Sequence, residues 1–161
     1  MSERVMRQWV VAGLKPLHAV AVENRVASGT PDVSYSLGWI ELKHVERPPA
    51  RPTTPVALDH YTTEQRIWAH QRAAAGGVVF VLLQVGREIF LIDGTTAADR
   101  LGEATLAEIR QMAVEKWTSI PNPRTLTLAV LSHSRPRPPK SLSSSVVAAA
   151  MGWSTPLPST T

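Results

Sequence analysis

A chain of 161 residues, 43% hydrophobic and 19% charged, is long enough to bury one core and too short for two domains of ordinary size. With no cysteine, a disulfide-stapled secreted scaffold and a thiolate zinc site are both excluded, and a reducing cytoplasm is the expected setting. The formal charge of +4 invites a polyanionic partner, and residues 132–161 add Arg135, Arg137 and Lys140 to that excess with no acidic residue.

Residues 2–14, SERVMRQWVVAGL, set Val5, Met6, Trp9, Val10 and Leu14 at helical spacing behind Ser2 as N-cap, and Lys15-Pro16 closes this first helix. HAVAVE at 18–23 predicts a first strand, and residues 30–36 and 39–45 predict the arms of a hairpin. The proline-rich run from Pro48 to Pro55 holds neither a central strand nor a helix, so it is a long connector carrying Arg47 and Arg51. Thr62 and Gln65 form a capping box that opens a helix closed by Gly76 and Gly77. A second hairpin follows over 78–94, its first arm apolar on both faces and therefore central in a sheet.

Thr105 and Glu108 make another capping box, and Leu106, Ile109, Ala113 and Trp117 the buried stripe of the helix it opens. TLTLAVL at 125–131 predicts a last short strand. The folded unit is expected over 1–131, followed by a basic, Pro/Ser-rich mobile tail over 132–161. The longest apolar run, VVFVLL, is far short of the roughly 18 residues of a membrane span, and the N-terminus lacks a signal-peptide layout. No metal-spaced histidines and no Gly-rich phosphate loop of the P-loop type occur, so no nucleotide cofactor is expected.

The first hairpin, GTPDVSYSLGWIELKHV at 29–45, is unusual in its charges. Asp32, Glu41 and Lys43 sit among side chains that otherwise read as buried strand, where an unpaired charge costs on the order of several kcal/mol. Alternation puts Glu41 and Lys43 on one face and Ile40, Leu42 and His44 on the other. With Leu37-Gly38 as a two-residue turn, Ser34 opposes Glu41 and Asp32 opposes Lys43, which gathers the three charges on one face.

Two carboxylates so placed repel each other unless one is protonated or a cation bridges them, and oxygen-only ligands suit a hard ion, Mg²⁺ or Mn²⁺. Such an ion polarises a phosphate and acidifies a bound water, and a nearby ammonium stabilises charge on phosphoryl oxygens, which together make phosphodiester hydrolysis. The competing reading is a solvated hairpin face whose cross-strand ion pair is worth at most about 1 kcal/mol.

Pro31-Asp32 followed by Glu41-x-Lys43 resembles the PD-(D/E)xK nuclease signature. GTPDV, GWIELK and the Gln-bearing TTEQRIW together are similar to its archaeal-type Holliday junction resolvase and virus-type replication-repair branches, over residues 20–93. The resemblance implies an α/β fold with a central mixed β-sheet flanked by helices (restriction-endonuclease-like). It also implies Mg²⁺- or Mn²⁺-dependent cutting of branched DNA, foremost a four-way junction, by a homodimer in the cytoplasm of a bacterial, archaeal or phage-infected cell.

The implied metal ligands are Asp32, Glu41, the main chain of Leu42 and an upstream acidic residue, for which Glu23 is the candidate and Glu3 on the first helix the competitor. Lys43 would assist the water. Gln65 joins the catalytic set, although its capping-box position also explains it structurally. Arg25, Arg47 and Arg51 flank the site as DNA contacts, whereas Trp9, Trp68 and Trp117 have core spacing. A flap or nicking nuclease, or a DNA-binding module of the same fold without catalysis, are the alternatives.

Overall fold

Helix α1 (Glu3–Gly13) begins where Ser2 accepts from the Val5 N–H, and it buries Met6 and Val10. The computed structural model describes residues 2–23 and 29–134; Arg25 and residues 135–161 of the expected tail lie outside the described residues, whereas Ser132, His133 and Ser134, also expected in that tail, belong to the last helix and its cap. After α1 ends at Gly13, a 3-10 turn over Lys15–Leu17 carries Pro16, and β1 (Val20–Ala21), β2 (Val33–Tyr35) and β3 (Gly38–Val45) follow. The connector then leads to α2 (Thr63–Ala74), opened by the Thr62/Gln65 capping box. β4 (Val78–Val85) and β5 (Glu88–Asp93) form the second hairpin, succeeded by α3 (Gly94–Arg100), α4 (Leu106–Met112), β6 (Glu115–Trp117) and α5 (Pro123–His133).

The six strands make one mixed sheet in chain order. Every neighbouring pair is antiparallel except β3 and β4, which run parallel because the connector and α2 carry the chain back between them. Met6 and Val10 of α1 and Leu126 and Val130 of α5 pack on the face formed by Ile40, Leu42, Leu82 and Leu91. The opposite face, Val81, Leu83, Phe90 and Ile92, lies under Ala97, Leu101 and Ile109 of the segment from α3 to α4. Ala69 and Trp68 of α2 pack beside it on Val79. The expected α/β fold, a central mixed sheet flanked by helices, is the one observed. Among the described residues no helix is long and apolar enough to cross a membrane.

Several expectations need correction. The first hairpin pairs Val33 with Ile40, Ser34 with Trp39 and Tyr35 with Gly38, so its turn is Ser36-Leu37. Gly38 lies inside the sheet instead, where a Cβ would meet the Val78 carbonyl oxygen at 2.5 Å. Because the slip is two residues, the faces are preserved, but the register now continues to Asp32 opposite Glu41 and no longer to Lys43.

TLTLAVL is helical, not a strand. Asn122 accepts from the Thr125 N–H at 2.9 Å, Pro123 occupies the first turn, and Leu126, Ala129 and Val130 turn inward. Trp117 lies on β6 opposite Ile89, because the chain after Met112 goes extended at Ala113. Helix α3 was not expected, although Asp93 caps it by accepting from the Thr95 and Thr96 N–H groups. Of the stretch 18–23 only Val20 and Ala21 form a strand.

Candidate active site

β3 is buried on both sides, and its register beside β4 puts Glu41 level with Val81 and Lys43 level with Leu83, on the face that α2 borders. Trp39 on that face meets Trp68 of α2 edge-on, ring centroids 5.3 Å apart, which sets the first turns of α2 over the strand. Glu41 is 3% exposed and Lys43 5%. Lys43 Nζ donates to Glu41 Oε1 at 2.7 Å, and Gln65 Nε2 donates to the same oxygen at 2.6 Å. The second carboxylate oxygen of Glu41, Oε2, is buried and has no hydrogen-bond partner.

Burial pushes the Glu41 carboxyl up to about 7; the Lys43 ammonium opposes this, and the negative charges of Asp32 and Glu3 add to it. Tyr61 closes the other side of Lys43, whose Nζ lies 5.7 Å from the ring centroid, and Arg66 stacks on the same ring at 4.4 Å. Burial raises the Tyr61 phenol to about 12, so it stays protonated at neutral pH and is no base.

Asp32 enters the site from the residue before β2. Its main-chain oxygen accepts from the Val22 N–H at 2.8 Å, its Oδ2 from the Leu42 N–H at 3.0 Å, and its Oδ1 from Arg7 Nη2 at 2.8 Å. The loop reaches this position by passing close to α2. Gly29 has φ +83°, and a Cβ there would meet the Glu64 carbonyl oxygen at 2.6 Å.

Asp32, Glu41, Lys43 and Gln65 are thus brought together, with Leu42 joined to Asp32 through its main chain. Glu23 is exposed beyond β1 and is not among the charges that act on Glu41, whereas Glu3 of α1 is. Arg47 and Arg51 are exposed in the connector. Two site residues were not expected from the sequence. Arg7 follows Glu3 by one helical turn, and Tyr61 precedes the Thr62 cap with Arg66 at the fourth helical position, the spacing of a hydrophobic staple.

The donor set suits a hard divalent cation in kind, since two carboxylates converge and one buried oxygen lacks any partner. Among the described residues no three His, Asp or Glu side chains form a metal-holding group by themselves, so main-chain oxygen and water would complete the shell. No protein-family model matches the chain, and no curated protein matches it. The chemistry of these residues is therefore the ground for any function assigned to them.

Proposed function

We propose that the chain is a metal-dependent, structure-selective DNA endonuclease of the PD-(D/E)xK type, foremost a Holliday junction resolvase acting as a homodimer. The observation that carries this is Glu41, a buried carboxylate with one oxygen shared by Lys43 and Gln65 and the other orphaned. An ion pair kept for stability alone is poorly served by burial, because desolvation offsets most of the attraction and an apolar pair of similar volume does as well. An orphaned oxygen on a carboxyl that also feels the negative charge of Asp32 adds further cost, and that arrangement makes sense where a cation binds.

Asp32, Glu41 and the Leu42 main chain would hold Mg²⁺ or Mn²⁺, with Glu3 favoured over Glu23 as the upstream acid because its charge reaches Glu41. The bound cation supplies Lewis-acid polarisation of a phosphate and a more acidic water. Lys43, fixed between Glu41 and the Tyr61 ring, would orient an attacking water or balance charge building on the phosphoryl oxygens. Gln65 holds the Glu41 carboxylate in one rotamer. Arg47 and Arg51, exposed on the connector, contact the DNA backbone.

A four-way junction has near two-fold symmetry, so paired incisions call for a two-fold dimer with one site per subunit. The test is a panel of equal-length labelled four-way junction, 5′-flap, nicked duplex and linear duplex, combined with light scattering. A dimer that cuts the junction fastest, on both opposing strands, in Mg²⁺ is expected. A monomer preferring flaps would move the assignment to a flap or nicking nuclease, and tight binding without incision in Mg²⁺ or Mn²⁺ would leave a non-catalytic DNA-binding module.

A further inference from the structure

Asp32 already has a cation at its side. Arg7 Nη2 lies 2.8 Å from Oδ1, and the Leu42 N–H occupies Oδ2, so both oxygens of this carboxylate are engaged. The way Arg7 is held differs from the Arg110–Glu88 pair on the far hairpin, where Nε and Nη2 each bond one oxygen of Glu88. Towards Asp32, Arg7 uses a single nitrogen, and its Nε is buried with no partner. A part-buried pair joined by one bond, its side chains 31% and 21% exposed, is separable, and a desolvated, unpaired guanidinium N–H is suited to an oxyanion.

We propose that Arg7 is the resting counter-ion of Asp32: it holds Oδ1 while no divalent cation is bound, competes with that cation, and on release offers Nε and Nη2 to a substrate phosphate. The proposal rests on the nuclease reading above and adds to it a coupling between metal loading and substrate engagement. Arg7 comes from α1 and Asp32 from the segment leading into β2, so the bond that would open joins two separate elements.

The experiment measures Mn²⁺ binding by the electron paramagnetic resonance of free Mn²⁺, which does not depend on turnover. The full-length wild type is compared with Arg7→Gln, Arg7→Lys and Asp32→Asn. Arg7→Gln should bind Mn²⁺ roughly fivefold more tightly, the factor a partly exposed pair can supply. Arg7→Lys keeps the charge and should stay near the wild type, and Asp32→Asn should lose binding. In Ca²⁺, Arg7→Gln should also bind a four-way junction several-fold more weakly. Equal or weaker Mn²⁺ affinity in Arg7→Gln, with the wild type binding normally, overturns the competition, and undiminished junction binding overturns the phosphate role. No Mn²⁺ binding by wild type and Arg7→Gln alike removes the cation site itself, and with it both the nuclease reading and this proposal.

Discussion

The amide of Gln65 bonds Glu41 with its nitrogen while its oxygen accepts the Thr62 N–H, at 2.6 and 3.0 Å. One side chain therefore caps α2 and clamps a site carboxylate at the same time. Gln65→Glu separates the two duties. Glutamate serves as well at this capping position, so stability should stay near the wild type, but its carboxylate repels Glu41 and loses the amide donor. We expect junction incision to fall at least about tenfold, the effect of one lost positioning bond worth roughly 1.4 kcal/mol. Gln65→Ala should cost about 1 kcal/mol in denaturant melts through the lost cap, together with part of the activity. A fully active Gln65→Glu would reduce Gln65 to a cap.

On the nuclease proposal, Asp32→Asn and Glu41→Gln would each remove a ligand charge with little change of volume, so cleavage should disappear while junction binding in Ca²⁺ persists. Gel-shift and incision assays on the same preparations check this. Undiminished cleavage by either variant would sink the metal assignment.

The raised carboxyl of Glu41 makes stability depend on pH without any substrate. A carboxyl that titrates near 7 when folded and near 4.5 when unfolded binds its proton more tightly in the native state. Its contribution is complete below about 4.5 and is lost as pH rises through about 7, on the order of 3 kcal/mol in all. Chelator-treated wild type should therefore lose stability between pH 5 and pH 8 more steeply than Glu41→Gln, and added Mn²⁺ should restore most at the high end. Parallel slopes for the two proteins would mean that Glu41 is not raised.

Gly38→Ala tests the hairpin register. The new Cβ would press on the Val78 main-chain oxygen, which cannot swing away, so the loss should be about 1–3 kcal/mol. An unchanged midpoint in urea would put Gly38 in the turn after all.

What could be read in the sequence was local, and what could not depended on a neighbour. The capping boxes at Thr62 and Thr105 announce their helices within four residues, and the Glu41-Leu42-Lys43 alternation assigns faces without further information. Leu37-Gly38 reads as a turn in the sequence alone, and only β4, whose Val78 carbonyl lies against Gly38, places that glycine in the sheet. Thr-Leu-Thr-Leu in α5 satisfies the strand period by eye, while Leu126, Ala129 and Val130 satisfy the helical one. Contact with α1, where Thr127 donates to the Gly13 carbonyl at 2.8 Å, is a long-range fact. In the site, strand alternation gathers Asp32, Glu41 and Lys43, whereas spacing reads Gln65 only as a cap and the resemblance alone adds it to the set. Arg7, and the preference for Glu3 over Glu23, depend on how α1 crosses the sheet.

The strands that bear the two carboxylates differ in their anchorage. Glu41 is on an eight-residue strand paired on both sides, whereas Asp32 borders a three-residue strand whose outer neighbour has only two residues, both exposed. Amide hydrogens bonded across the β3–β4 ladder should exchange only on global unfolding, and those of β1 and β2, with the Leu42 N–H that Asp32 holds, through local opening at far lower free energy. Fraying of that margin would carry Asp32 away from Glu41 with the core intact. A substitution near Val20 or Ala21 would thus separate the two carboxylates while leaving the melting temperature unchanged, and exchange rates would report damage that a thermal scan misses.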